Sequence, residues 1–244
     1  MIDSLHYDWI AALAFLATLV GLTVVGRRLV FQIPELARMR ELNREADAKK
    51  MARPRFREAV KASNRAGLYT NLVFYAAILP FCVSLESRPL WRHAVDVLAV
   101  LLVFDFMYYL THRFLFHGKL LRKVHSLHHQ ARTPTHADAF YVHPLETFIG
   151  LALYLGSIPI VALASGAPLN AFSMAVATLV FTQLNTINHV YTNLPYFPFK
   201  TIDAITGVHA AHHVDMNHGN YATLTMLYDK LFGTYEPPVH RETA

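Results

Sequence analysis

The chain has 244 residues, of which 54% are hydrophobic and only 16% charged, with a formal net charge of +5. That balance falls outside the usual range of soluble domains and points to a membrane protein. A single cysteine, Cys82, excludes intramolecular disulfides, cysteine-ligated iron–sulfur clusters and thiolate zinc sites, so any metal must bind through nitrogen or oxygen.

Five apolar stretches follow in chain order, at residues 9–26, 68–85, 95–110, 148–164 and 169–184. As helices rising about 1.5 Å per residue they reach roughly 24 to 27 Å, a little short of a hydrocarbon core of about 30 Å. The last three are therefore expected to tilt, to extend into flanking residues, or to pair as hairpins. Buried helices of a soluble all-α protein are the competing reading, and the number and length of the stretches favour the membrane.

Residues 1–8 hold Asp3 and Asp8 but no Lys or Arg, whereas the loop after the first stretch is crowded with basic residues from Arg27 to Arg65. The positive-inside rule places that loop in the cytoplasm. Lacking a basic start, the first stretch reads as a retained anchor rather than a cleaved signal peptide. Between two membrane spans the basic loop reads as a face on anionic headgroups, with no role for nucleic acid. The chain thus divides into an anchor and basic loop at 1–66 and a membrane-embedded domain at 67–244. Alternation of the spans brings residues 112–147 and 189–244 to the same side as the basic loop.

Those two segments contain His112, His117, His125, His128, His129, His189, His209, His212 and His213. Positions i, i+3 and i+4 of an α-helix share an arc of roughly 100°, so each His-x-x-His-His triplet forms one face of imidazoles. His112 and His117 lie five apart and diverge by about 140° on a regular helix, so the helix must end or bend between them, with Gly118 as a stop. Neutral imidazole suits zinc, iron, copper or nickel, and nine exceed the three or four ligands of a mononuclear zinc site. Two metals fit better, each triplet contributing to both while His112, His117 and His189 fill the rest. The expected fold is all-α: a multi-span membrane bundle with a cytosolic histidine-rich cap holding a dinuclear site.

The ordered set Asp105-Phe-Met-Tyr-Tyr-Leu-Thr-His-Arg113, His112-x4-His117, His125-x-x-His-His129, His143-Pro-Leu-Glu146, Asn188-His189, His209-x-x-His-His213, Asn220-Tyr221 and Asp229-Lys-Leu-Phe-Gly-Thr234 resembles the fatty acid hydroxylase and sterol desaturase superfamily of membrane non-haem di-iron enzymes. The resemblance runs from Asp105 to Tyr235 and implies that the nine histidines hold two irons, with O₂ as co-substrate. Zinc could substitute for iron but has no redox chemistry. Some relatives carry a histidine where this chain has Asn193, which could coordinate weakly, bind through water or leave a position open. An all-imidazole shell calls for outer acids that orient the rings and offset charge. Asp105, Asp138, Glu146, Asp203 and Asp229 are the candidates, with His143 nearby.

The expected activity is O₂-dependent hydroxylation or desaturation of a membrane lipid: a fatty acyl chain, sterol, hopanoid or sphingoid base. Electrons must come from a separate reductase, ferredoxin or cytochrome, since no Gly-x-Gly-x-x-Gly, cysteine cluster or fused haem domain occurs. The rival reading is a membrane metal transporter or sensor. Histidines lying beyond the spans, with few ionisable groups inside them, favour the enzyme. A zinc protease is weaker still, because His-Glu-x-x-His is absent.

Overall fold

The computed structural model describes residues 6–192, 194 and 196–239, and these are mostly helical. Helix α1 (Trp9–Val30) begins where the Asp8 carboxylate accepts the Ala11 N–H. A short turn leads to the polar helix α2 (Pro34–Met51) and then to α3 (Pro54–Ala77), each started by a proline whose missing N–H costs nothing in a first turn. The one-turn α4 (Leu79–Cys82) follows, then α5 (Leu90–Thr111), α7 (Pro144–Ser165) and α8 (Ala171–Ile187), with the short α6 (Arg122–His125) between α5 and α7. Helices α9 (Lys200–His212) and α10 (Leu227–Leu231) complete the chain.

Three helical segments are long and apolar enough to cross a membrane: α1, α5 with its extension to Phe116, and α7. The fifth apolar stretch forms α8, which at 17 residues is shorter. The second departs from its sequence reading. Instead of one helix over 68–85, the apolar residues form the distal half of α3, whose proximal half carries Arg55, Arg57, Lys61 and Arg65, and the helix ends before Pro80. Charge on the first three turns and a little beyond, with a proline after the last, explains why this segment lacks the length of a purely apolar span.

Phe15, Phe104, Tyr154 and Phe181 meet in the core from α1, α5, α7 and α8. Tyr154 and Phe181 stack with centroids 3.9 Å apart, and the Tyr154 hydroxyl pairs with Thr178 Oγ1 at 2.8 Å, so no polar atom is stranded there. Outward, Leu13, Val20, Leu72, Val73, Leu98 and Leu163 are exposed. They are spread over α1, α3, α5 and α7, an exposed apolar surface of the kind lipid would cover.

At one end of the bundle, Val83–Ser84 (β1) pairs in parallel with Leu169–Asn170 (β2), tying the loops before α5 and α8. Buried Asp96 ion-pairs there with Arg88 and Arg92, and Arg88 also donates to the Pro168 carbonyl. The opposite end carries α2 and every histidine-rich segment. Asn43 of α2 is 3% exposed and uses its amide on both backbone groups of Tyr191 and on the His136 N–H. Lys50 of α2 pairs with Asp138. The basic segment between α1 and α3 is thus a strap over the cap as well as a charged surface.

Candidate metal centre

Helix α5 does not stop or bend at His112. It passes into a π-helical turn, His112–Phe116, closed by the His117 N–H on the His112 carbonyl at 2.9 Å. The wider turn brings residues five apart over one another, which a 3.6-residue helix does not, and so aims His112 and His117 the same way. Gly118 ends it: a Cβ there would lie 1.9 Å from the Phe114 carbonyl oxygen, so only glycine permits the chain to turn back this tightly.

The first triplet departs from a regular helix as well. His125 ends α6, and His128 and His129 begin a 3₁₀ turn. The second triplet ends α9, with His213 as its cap. In both, the i and i+4 residues go to one group of imidazoles and the i+3 residue to the other. One group contains His112, His117, His125, His129 and His212; the other contains His128, His189, His209 and His213. Within each, one nitrogen per residue lies within 4.8 Å of every other.

The contacts between rings test whether metals fit. Nε2 atoms sit 3.0 Å apart for His112 and His125, 3.0 Å for His125 and His129, and 3.1 Å for His112 and His212. The second group repeats this at 3.0, 2.9 and 3.1 Å along His128, His189, His209 and His213. The Nδ1–H of His112 donates to the Tyr221 carbonyl at 2.7 Å and that of His212 to the Gly219 carbonyl at 2.6 Å. A carbonyl only accepts, so in these neutral rings both Nε2 atoms are bare lone pairs facing each other. A cation between them relieves that repulsion. Nitrogens about 2.1 Å from one ion are about 3.0 Å apart at a right angle and about 3.4 Å apart at the tetrahedral angle. The observed spacing matches right-angled ligation, and five donors exceed a tetrahedral zinc set. The five-histidine group therefore fits a metal with more than four ligands, and the four-histidine group shares its near-right-angled spacing.

Burial keeps the rings in the ligating state. It drives the pKa values of His125, His128, His209, His212 and His213 well below the ordinary imidazole value, with neighbouring rings adding to the effect. His129 is lowered to about 3 by burial and by His117.

Among the expected outer acids, Glu146 reaches a ring: its Oε1 accepts the His125 Nδ1–H at 2.8 Å. The other four serve backbone N–H or hydroxyl groups, Asp138 pairing with Lys50 as well. Asp105 accepts N–H groups of Thr223, Leu224 and Thr225, and Asp229 those of Tyr221 and Ala222. Asp229 thereby steadies the peptide whose carbonyl holds His112. Asp138 caps the turn at His136–Phe140, and Asp203 accepts from Thr192. His143 caps α7 through the Leu145 N–H. Asn193 lies outside the described residues.

Sequence reasoning missed the carbonyls. Those of Tyr221, Gly219 and Met216 orient His112, His212 and His117, and that of Asn185 orients His189. Backbone acceptors carry no residue-type signal. Gly219 is the exception, since a Cβ there would meet the Thr234 carbonyl oxygen at 2.0 Å.

A slot of about 530 Å³ opens between α3, α5, α7 and α8 and reaches His128 and His189 of the four-histidine group. Tyr108, Glu146, Leu151 and Phe181 are among its walls. The structure is thus a helical protein with three helices long and apolar enough to cross a membrane, two imidazole groups able to hold metal ions, and a slot between the helices that reaches one of them. The fatty acid hydroxylase profile matches residues 97–234, more than half of the chain, and the chain belongs to that family.

Among its relatives, methylsterol monooxygenase 1 of Rattus norvegicus is 32% identical over 156 residues, covering 61% of this chain and 50% of that protein. Very-long-chain aldehyde decarbonylase GL1-11 of Oryza sativa subsp. indica is 34% identical over 157 residues, 61% of this chain and 56% of that protein. The chain spans about half the length of these curated relatives. No solved structure matches it.

Proposed function

We propose that this protein is a multi-pass membrane oxygenase that uses two irons and O₂ to hydroxylate or desaturate a lipid. The observation that carries this reading is the pair of converging imidazole groups, with Nε2 atoms 2.9 to 3.1 Å apart, at the end of a slot between apolar helices. The names of the relatives, a methylsterol monooxygenase and a very-long-chain aldehyde decarbonylase, support a lipid as the substrate. The arginines of α2 and α3 at the histidine end support a cytoplasmic site, in line with the positive-inside rule.

The nine histidines are the proposed ligands, five for one ion and four for the other. Iron there would supply the redox chemistry with O₂ that an unactivated C–H bond requires and that zinc lacks. The chain's own part is to hold the rings neutral and aimed. Backbone carbonyls keep the Nδ1 protons on His112, His117 and His212, and Glu146 keeps the one on His125, leaving Nε2 free to ligate. The apolar floor at Phe104, Leu151 and Phe181 excludes water and admits hydrocarbon. Electrons reach the site from a separate reductase, ferredoxin or cytochrome.

Iron-loaded protein in detergent, given a reducing system and a lipid extract, is expected to consume O₂ and release a lipid heavier by one oxygen or lighter by two hydrogens. Metal transport into vesicles with no lipid oxidised would overturn the proposal.

A further inference from the structure

His189 lies beyond the last residue of α8, in turns closed by its own N–H on the Thr186 carbonyl and by the Val190 N–H on the Ile187 carbonyl. Its Nε2 is 3.0 Å from that of His128 and 2.9 Å from that of His209, so it stands in the middle of the four-histidine group. With His128 it also fronts the slot. A ring set past a helix end is placed by whatever holds the chain there, and part of that hold comes from far away in the sequence, on α2.

Asn43 is 3% exposed on an otherwise polar helix, where it and Leu36 are the buried residues. Its amide makes all four bonds that such a group can. Nδ2 donates to the Met39 carbonyl at 2.8 Å and to the Tyr191 carbonyl at 2.7 Å, while Oδ1 accepts the Tyr191 N–H at 2.9 Å and the His136 N–H at 3.2 Å. Turned over, the amide would set its oxygen against two carbonyl oxygens, so the partners fix its orientation. The paired bonds to Tyr191 grip the backbone two residues beyond His189. His136 opens the turn that leads to Ala139, Phe140 and Val142, which line the slot. One amide therefore ties the His189 segment to a wall of the slot. Asp47 and Lys50, on the same face of α2, have their partners on the wall segment: Thr135 and Ala137 for Asp47, Thr133, Thr135 and Asp138 for Lys50.

We propose that Asn43 is a positioning residue for the four-histidine group: by holding the Tyr191 backbone and the His136 N–H together, it fixes where His189 stands against His128 and so sets how tightly an ion is held there. Asn43 lies outside residues 97–234 matched by the family profile, so the control comes from a part of the chain that the histidine motifs do not include. The inference rests on the two-metal reading above and adds the residue that tunes one of the two sites. An isosteric carboxylate at this position would keep both N–H bonds and turn an oxygen onto the Met39 and Tyr191 carbonyls, which isolates the amide's donor from its bulk.

The test reads metal affinity without turnover. Full-length protein in nanodiscs is loaded with iron(II) under argon and titrated with a chromogenic chelator. Asn43→Asp should weaken one ion about tenfold and leave the other unchanged, the size expected when outer support of a ligating histidine is lost. Glu146→Gln acts on the five-histidine group and assigns the ion: combined with Asn43→Asp it should weaken both ions, each by its single-variant factor. Asp47→Ala loosens the strap without touching Tyr191, and should lower the melting temperature of the metal-free protein while leaving both affinities as they were. Asn43→Ala repeats the measurement should Asn43→Asp not fold. A second reading uses the unmutated protein: coupling is reciprocal, so iron(II) should slow amide exchange at the Tyr191 and His136 N–H groups. Unchanged affinities in a folded Asn43 variant, equal weakening of both ions, a double variant with one ion alone weakened, an Asp47→Ala that matches Asn43→Asp, or exchange indifferent to iron(II) each overturns the proposal. A selective Asn43 effect in a chain that oxidises no lipid sinks the oxygenase reading alone, whereas lipid oxidation with both affinities unchanged in Asn43→Asp sinks this one alone.

Discussion

The two imidazole groups are built from the same residue type and are held differently. In the five-histidine group, His112, His117, His125 and His212 each have Nδ1 fixed by a carbonyl or by Glu146. In the four-histidine group, His189 leans on the Asn185 carbonyl, while His213 Nδ1 is buried with no hydrogen-bond partner among the described residues. The four-histidine group, through His128 and His189, faces the slot. One group is thus anchored from behind and rich in donors; the other has fewer donors and fronts the space for an occupant. A shared ligand type permits this because the second nitrogen of each ring, rather than the first, sets how rigidly it is held.

The sharpest way to break that contrast is to remove one ligand from each group. His128→Ala leaves three donors in its group and should abolish lipid oxidation, a fall of about a thousandfold or more, with one metal lost per chain on elemental analysis. His117→Ala leaves four donors in the other group and should retain more metal than His128→Ala does. Equal losses from the two variants would erase the difference between the groups.

Stripping both metals comes next in size. Ions present at about a thousand times their dissociation constant each add about 4 kcal/mol, so chelation should lower the melting temperature by about 10 °C or more. A melting curve that ignores chelation would mean the cap holds the bare lone pairs together unaided.

Glu146→Gln probes the anchoring itself. Loss of an outer partner to a ligating histidine typically costs about 10- to 100-fold in metal affinity. Chelator competition should find that loss at the five-histidine group alone.

The mildest effect concerns pH. In the folded chain burial holds His129 at about 3 and depresses His125, His128, His209, His212 and His213, while in the unfolded chain imidazoles take up protons near about 6.5. The unfolded state therefore binds more protons between those values. The metal-free protein should keep its full stability above about pH 6.5 and lose it progressively as pH falls from there toward 3. Melting temperatures across pH 7.5 to about 5 check the sign, and a rise on acidification would contradict it.

Much of the site was readable in one dimension because its donors are side chains of a distinctive type. The nine histidines stand out by composition and spacing, and the expected sharing of each triplet between two sites corresponds to the two imidazole groups. The route by which His112 and His117 converge was not readable. Sequence spacing on a 3.6-residue helix asked for a stop or a bend, and the chain instead widens one turn and ends it at Gly118. The acids were only partly readable for a related reason. All five candidates are carboxylates near the motifs, and only the packing of α7 against α6 selects Glu146 for His125, leaving Asp105 and Asp229 to grip backbone around Tyr221.

Sequence alone established an apolar helical chain with a basic segment, nine clustered imidazoles and its family. Those properties reside in residue identity and short-range periodicity, which need no distant contact to be expressed. Tertiary structure decided which ring belongs to which group, which carbonyls orient them and where the slot opens. Each of those depends on atoms far apart in the chain, such as His112 and the Tyr221 carbonyl 109 residues later, and is set only when the helices pack.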